Sequence, residues 1–514
     1  MSRTRSFFSG AIFAYLYQGA AMVIGLWLTP FYIRTLGTHD YGVWLVGLQV
    51  LTFLLLCDFG ILAVTPRDVA HASGLERTEP ASDQLKILVG QTLKVVLAQT
   101  SLIIAVALGL YLFRPTAPGL GGPIALLLAV FALSYPFRLF PAILNGLQDL
   151  KFLGQLRIWL WAFSTALGVI LLLFGARFYA LACGWCVHEV SNNFAALIRL
   201  RRLRPDLVTF NVWKSAGPIR WRWFTRGFWV NVGQIGYSFI SGSDLIITGR
   251  ALGPAAVVIY SCTSKLVNVL QNQPQMLAGV ALPGLSQMKT SESRERVLQA
   301  TVSLTQAMLL LVGALFCVIL SINQQFVSLW LGSRFFGGMI LTTLVLSNFV
   351  VRQIDYTLAI ALFAFGHEKL LAIRCLIDGA VSVILAAILA PHFGFEGIAA
   401  GFLCGGLLVA IPTDAVFVAR DLQISILELF KPYLAYLWRS ALVGAIGLAA
   451  KQWIAVPTLL NTAILAIGVA SLYLLLALPY VWRTPLRGYI QTAGATIGAS
   501  MRSRIPGWAL KKAA

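Results

Sequence analysis

Charge is what this chain has least of. Asp, Glu, Lys and Arg together make up 11% of its 514 residues while 58% are hydrophobic, and the mean hydropathy is +0.81. A soluble globule carries roughly a quarter charged residues, so that class is excluded. Cysteine is scarce as well, and all seven (Cys57, Cys183, Cys186, Cys262, Cys317, Cys375 and Cys404) fall inside apolar stretches. No extracytoplasmic disulfide framework is implied. The segment "CGWCVH" (183 to 188) resembles a redox, metal or haem pair, but Val187 separates the second Cys from His188. Small residues at helical spacing in a packed interface account for it better. Neither GxxxxGK[ST] nor a GxGxxG between strand and helix occurs, so nucleotide hydrolysis and a bound cofactor are not expected. The loops assigned to the outer side are short and leave no room for a catalytic domain, which argues against an enzyme.

What is present in quantity is apolar sequence. A helix rises about 1.5 Å per residue and a hydrocarbon core is about 30 Å thick, so runs of about 20 apolar residues can span a bilayer. Fourteen such runs are expected: residues 11 to 33, 42 to 65, 87 to 113, 121 to 144, 153 to 174, 178 to 198, 227 to 249, 255 to 284, 297 to 321, 337 to 365, 370 to 390, 396 to 419, 438 to 456 and 458 to 482. The thirteenth is the weakest, because Lys451, Gln452 and Pro457 crowd it. Arg3 and Arg5 before the first run resemble the start of a signal peptide, but the run spans a full bilayer without a clear cleavage site. It reads as a retained helix.

Basic residues set the orientation, since cytoplasmic loops carry the excess. On this topology only Arg34, Arg114, Arg177, Arg250, Arg334 and Lys451 fall on the side away from the termini, and most of the other Lys and Arg fall on theirs. Both termini are therefore expected in the cytoplasm. The formal charge of +20 then reflects topology and attraction to anionic inner-leaflet lipids rather than nucleic acid. Trp221 and Trp223 within "RWRWFTR" fit an interfacial aromatic belt.

The chain also repeats itself. "IRTLGTHDYGVW" (33 to 44) lies over "GRALGPAAVVIY" (249 to 260), matching Arg34, Leu36 and Gly37 with Arg250, Leu252 and Gly253, and the same offset pairs Gln18 with Gln234. "NGLQDLKFLGQLR" resembles "FGHEKLLAIR", and "FGARFYALACG" resembles "FGFEGIAAGFL", each at the corresponding hairpin. Six helices return a chain to its starting side, so the repeats are parallel. The expected organisation is an N-lobe (1 to 204), a basic cytoplasmic linker (205 to 226), a C-lobe (227 to 420), two further helices (421 to 482) and a basic tail (483 to 514).

Ionisable groups in membrane helices cost about 2.5 to 3.5 kcal/mol on insertion scales and usually face a partner or a cavity. The buried bases are Lys94, Arg138, Lys265 and Arg352, and the acids Asp58, Glu189, Asp244, Asp355, Asp378 and Asp414. Arg352 and Asp355 stand three apart on one helix face, where they can pair. Alternatively Arg138 and Arg352, at equivalent places in the repeat, approach a central cleft from both lobes. Lys265 lies among Ser261, Ser264, Asn268 and Asn272 on one helical face, which reads as a wet wall, with an ion pair to Asp244 as the structural reading. Lys94 lies near the cytoplasmic end of its helix and is expected to snorkel. Gly397, Gly401 and Gly405 form a small-residue face suited to close helix packing.

"LTPFYIRTLGTHDYGVWLVG" (28 to 47), "LLLCDFGILAVTPRDVA" (54 to 70), "GLQ" (146 to 148) and the "FG" hairpin at 393 to 400 resemble the polysaccharide-biosynthesis flippases of the multidrug/oligosaccharidyl-lipid/polysaccharide exporter superfamily. The resemblance implies an all-α polytopic membrane fold of two six-helix lobes plus two C-terminal helices, alternating access, and transfer of an isoprenoid-diphosphate-linked oligosaccharide to the outer leaflet of the cytoplasmic membrane. It also implies other polysaccharide-assembly proteins as partners. A diphosphate needs fixed positive charge, which points to Lys265, Arg138 and Arg352, with Asp355 and Asp244 in support. A cation-coupled drug exporter of the same superfamily is the alternative, with Asp58 as its coupling residue. A membrane polymerase or ligase would carry a large outer loop, which this sequence lacks.

Overall fold

The computed structural model describes residues 3–78, 83–112, 119–209, 217, 222–276, 278, 285, 288, 292–453, 458–482, 484 and 487. Most of the expected linker, the end of the eighth span, the end of the thirteenth and nearly all of the tail lie outside the described residues. Every regular element among the described residues is helical. Ten segments of the described residues are long and apolar enough to cross a membrane, against fourteen expected. One of the ten, Glu368–Leu422, contains two of the expected runs. The sixth and seventh runs form long helices that polar residues keep below the apolar threshold, and the eighth is broken.

The chain divides into two compact units, Met1–Val258 and Ile259–Ala514. The first holds α1 (Arg3–Leu36), α2 (Thr38–Leu54), α3 (Ile61–Thr78), α4 (Gln84–Leu112), α5 (Gly121–Ser134), α6 (Leu139–Gly146), α7 (Leu150–Leu173), α8 (Arg177–Leu203) and α9 (Arg222–Ala251). Here α7 packs on α1 and α8, α5 on α8, α3 on α4 and α6, and α9 on α2. Val96, Ile103, Phe131 and Tyr135 centre one buried cluster, and Val69, Leu85, Ile143 and Leu200 another. Large apolar side chains also point outward, among them Trp159, Leu173 and Phe174. In lipid that exposure is the stable arrangement, and helices satisfy the backbone polar groups that lipid cannot.

α10 (Pro254–Thr263) crosses the boundary and α11 (Lys265–Leu270) follows a break at Ser264. The second unit continues with α12 (Arg294–Trp330), α13 (Met339–Ala364), α14 (Glu368–Gly405), α15 (Ile411–Leu422), α16 (Ile426–Gln452) and α17 (Leu459–Val481). α12 is its hub, meeting α13, α16 and α17. Gly313 of α12 faces Ser440 and Tyr473, while Gly444 and Gly447 of α16 lie against Leu320 and Ser321. A side chain at Gly313 or Gly447 would overlap these neighbours.

The hairpins paired in the sequence have positive-φ residues at corresponding places. Gly37 and Gly253 separate consecutive helices at φ +85° and +91°; Gln148 and Gly366 do so at +63° and +89°; Gly175 and Gly394 adopt +83° and +57°. After α6 the N–H of Gln148 donates to the carbonyl of Asn145 and that of Asp149 to Leu144; after α13 Gly366 donates to Phe363 and His367 to Leu362. Both are helix ends capped by a left-handed residue.

α14 folds back at Gly394, so its two arms run antiparallel. A Cβ at Gly397 would lie 2.3 Å from the Leu389 carbonyl oxygen, one at Gly401 2.3 Å from the Ala386 nitrogen, and one at Gly405 1.9 Å from Ser382 Oγ. The expected small-residue face is thus the contact between the arms. On the first unit, Arg204 closes the end of α8 against α3, its terminal nitrogens each 2.9 Å from a Glu76 oxygen and its Nε 2.9 Å from Asp206 Oδ1. That guanidinium holds the Asp206 carboxyl below its usual range.

Gly401→Ala is expected to cost about 1–3 kcal/mol through overpacking against backbone, read as a lowered melting temperature in detergent, while Gly19→Ala, with open space around it, is expected to be neutral. The Asp206 contribution to stability is present above the ordinary carboxylate range and lost as pH falls through its depressed folded value. Arg204→Gln should therefore lower the melting temperature at pH 7 and cost progressively less on acidification toward pH 3.

Candidate functional site

In the first unit the site is built around Arg138. Residues Tyr135–Arg138 form a tight 3-10 turn between α5 and α6, where Pro136 removes one backbone donor. Arg138 Nε donates to Glu189 Oε1 at 2.7 Å, Asn193 Nδ2 donates to the same oxygen at 2.9 Å, and the guanidinium lies 4.6 Å from the centre of the Phe131 ring. Its two terminal nitrogens have no hydrogen-bond partner among the described residues. The sequence marks Glu189 only as a buried acid, and three-dimensional packing assigns it to Arg138.

Asp58 has a different task. It ends the 3-10 turn Leu55–Asp58, its Oδ1 accepts from the Gly60 N–H at 2.7 Å, and Phe59 and Gly60 reverse the chain at positive φ. Its backbone carbonyl accepts from Gln99 Nε2 at 2.7 Å, and Gln99 Oε1 accepts from Tyr135 Oη at 2.9 Å. A buried polar chain therefore ties the start of α3 to the turn that carries Arg138. The same unit encloses an apolar crevice of about 550 Å³ lined by Val43, Val50, Leu127 and Phe178, with His39 and Arg250 as polar groups in its wall. Lys94 donates to the Gly217 carbonyl at 3.1 Å.

In the second unit the expected Arg352–Asp355 pair is not formed. Arg352 turns to α14, where its terminal nitrogens reach both oxygens of Asp378, Ser382 Oγ at 3.3 Å and the Phe402 carbonyl at 3.0 Å. Asp355 accepts instead from Arg374 at 2.8 Å. Arg374, expected among the cytoplasmic charges, is 6% exposed and also lies 3.2 Å from Asp414 and 3.9 Å from Asp378. The spacing of Arg374 and Asp378, four apart within an apolar run, was the signal that could have placed it inside. Interhelical pairing wins because the close approach of the α14 arms brings Asp378 within reach of α13.

Lys265 opens α11 directly after the break at Ser264. The break is held open by Asn323, whose Nδ2 donates to the Thr263 carbonyl at 2.9 Å, and by Thr263 Oγ1, which accepts from the Gly337 N–H at 2.8 Å. Lys265 is half-buried, Ser264 buried, and Asn268 and Asn272 exposed, so the polar stripe runs from packed interior to open surface. Lys265 has no ion-pair partner among the described residues. In the first unit Asp244 keeps one carboxylate oxygen on the Leu245 N–H at 2.8 Å. The seven cysteines are all free thiols, Cys186 packs near the Leu126 carbonyl, and no metal-binding group occurs among the described residues.

The profile of the polysaccharide biosynthesis protein family matches residues 7–289, more than half of the chain. The protein belongs to that family. Its sequence is 20% identical over 459 residues to the uncharacterised membrane protein EpsK of Bacillus subtilis (strain 168), a match covering 87% of each chain. Its fold is similar to that of the lipid II flippase MurJ, with TM-score 0.63, 12% identity and coverage of 92% of this chain and 98% of that one. It is also similar to a multidrug resistance MATE transporter of the MOP superfamily (TM-score 0.58, 14% identity, 81% and 99% covered). A MOP superfamily transporter from Pyrococcus furiosus matches at TM-score 0.56 and 13% identity, with 83% and 98% covered. The protein is thus a multi-pass member of the polysaccharide biosynthesis family with a MurJ- and MATE-like fold.

Within this family member, Glu189→Ala would leave the Arg138 guanidinium without its counter-ion. Its side chain is only 16% exposed, so a loss of about 3–5 kcal/mol is expected. Removing both partners in Arg138→Met/Glu189→Leu should recover most of it. A double-mutant cycle of thermal stability in detergent checks this.

Proposed function

We propose that this protein carries an isoprenoid-diphosphate-linked oligosaccharide from the cytoplasmic to the outer leaflet of the plasma membrane by alternating access. Membership of a polysaccharide biosynthesis family supports a saccharide cargo, and a fold shared with a protein named as a lipid II flippase supports a lipid-linked one. The observation that carries the reading is Lys265, a half-buried ammonium with no counter-ion among the described residues, at a helix break lined by polar side chains. An intramembrane cation of this kind attracts an anion, and a diphosphate supplies the charge and acceptors that an ammonium binds. Arg138 is the second proposed contact, because its terminal nitrogens have no hydrogen-bond partner among the described residues. Arg352 drops from this role: both its terminal nitrogens are held by Asp378 and its neighbours, and it acts as a structural pair.

The drug-exporter alternative draws on the MATE-like fold. It asks for an acidic coupling group, and the Asp58 oxygen that caps Gly60 is already in use. Cells lacking the protein are expected to accumulate lipid-linked oligosaccharide on the cytoplasmic face. At matched membrane levels wild type and Arg352→Lys should clear it, Lys265→Ala should fail, and Lys265→Arg should restore part of the transport. If nothing accumulates and Asp58→Asn abolishes resistance to cationic dyes, the exporter reading replaces this one.

A further inference from the structure

The five charged side chains that meet in the interior between α13, α14 and α15 do not add to zero. Arg352 and Arg374 bring two positive charges, and Asp355, Asp378 and Asp414 would bring three negative ones. Asp378 and Asp414 are fully buried, Arg374 nearly so, and Asp355 is 9% exposed. A surplus negative charge at this depth is strongly disfavoured unless a proton neutralises it.

The hydrogen bonds show which carboxyl lacks support. Asp378 receives both terminal nitrogens of Arg352 and the Ser382 hydroxyl at 3.2 Å, and Asp355 receives Arg374 at 2.8 Å. Neither oxygen of Asp414 accepts a hydrogen bond, although Arg374 Nε lies 3.2 Å from one of them without the alignment to donate. The Asp414 and Asp355 carboxyls both lie against the Arg374 guanidinium, 3.2 and 2.8 Å from its nitrogens. Two buried carboxyls set against one guanidinium share a proton, since two carboxylates would repel.

α13 brings Arg352 and Asp355, and α14 brings Arg374, Cys375, Asp378 and Ser382. α12 and α16 meet α15 through apolar contacts around Val418 and Leu422, with Leu309, Leu429 and the Tyr433 ring; at that end of α15 Asp421 Oδ2 lies 2.8 Å from His367 Nε2, and Arg294 of α12 donates to Gln423. The chain enters α15 through a π-helical turn, Gly406–Ala410, where Gly406 leaves room for the Arg352 guanidinium. Such turns re-aim side chains at functional positions.

We propose that the second unit contains a proton-binding site in which Asp414 and Asp355 share one proton at neutral pH. Water reaching the seam between α13, α14 and α15 releases that proton, so proton occupancy and closure of the seam are thermodynamically linked. The site is independent of the cargo and stands or falls separately from the flippase reading.

The test uses the purified full-length protein in detergent at pH 7, by infrared difference spectroscopy and thermal melting. The wild-type minus Asp414→Asn spectrum is expected to show a protonated-carboxyl carbonyl stretch, and Asp414→Asn, a neutral mimic, should melt like wild type. Asp378→Asn, which strips Arg352 of its counter-ion, should melt markedly lower. A difference spectrum without that band would overturn the proposal. So would an Asp414→Asn protein as destabilised as Asp378→Asn or unable to fold, because either would mean that Asp414 is ionised.

Discussion

The interior of this protein has little water to screen charge, and the second unit depends on how its buried charges are brought together. Arg352 and Arg374 can lie inside only because Asp355, Asp378 and Asp414 reach them from neighbouring helices. That reach is set by glycine. Gly397, Gly401 and Gly405 let one arm of α14 touch the backbone and small side chains of the other, and Gly405 brings the chain alongside Asp378 and Ser382. Small-residue packing and charge pairing are therefore one construction, since each shortens the distance that the other requires.

The first unit solves the same problem with fewer charges. Arg138 sits on a turn rather than a regular helix, Glu189 Oε1 accepts from both it and Asn193, and Phe131 covers its face. Asp58, Gln99 and Tyr135 fix that turn from behind through neutral hydrogen bonds. The guanidinium Nε is committed to structure, while the terminal nitrogens have no hydrogen-bond partner among the described residues. Lys265 is the contrasting case: its helix breaks before it, the freed Thr263 carbonyl is satisfied by Asn323, and the ammonium itself has no ion-pair partner among the described residues. Arg138, Arg352 and Arg374 have carboxylate partners on other helices; Lys265 has none among the described residues.

The two helices beyond the repeat attach by a third means. Gly313, Gly444 and Gly447 let α16 and α17 close on α12, and the Tyr473 hydroxyl donates to the Leu309 carbonyl at 3.2 Å. Cys317 Sγ lies 3.3 Å from the Ser440 carbonyl in the same seam. α12 thus serves the core of the second unit on one side and the added pair on the other, and its 37 residues give it the length for both.

The sequence by itself determined the class of protein, the place of most helices and the hairpins of the repeat. These are local matters: an apolar run of bilayer length has few alternatives, and a glycine at a helix end imposes the same turn wherever it recurs, as Gly37 and Gly253 do. It also exposed the glycine face of α14, because a spacing of four residues is a property of one helix. It could not assign partners to charges. Arg352 with Asp355 satisfied the local spacing rule, yet the tertiary structure chose Asp378 for the first and Arg374 for the second. A salt bridge forms where two side chains meet after the helices have packed, and helix packing is decided by surfaces that the order of residues along one helix does not reveal.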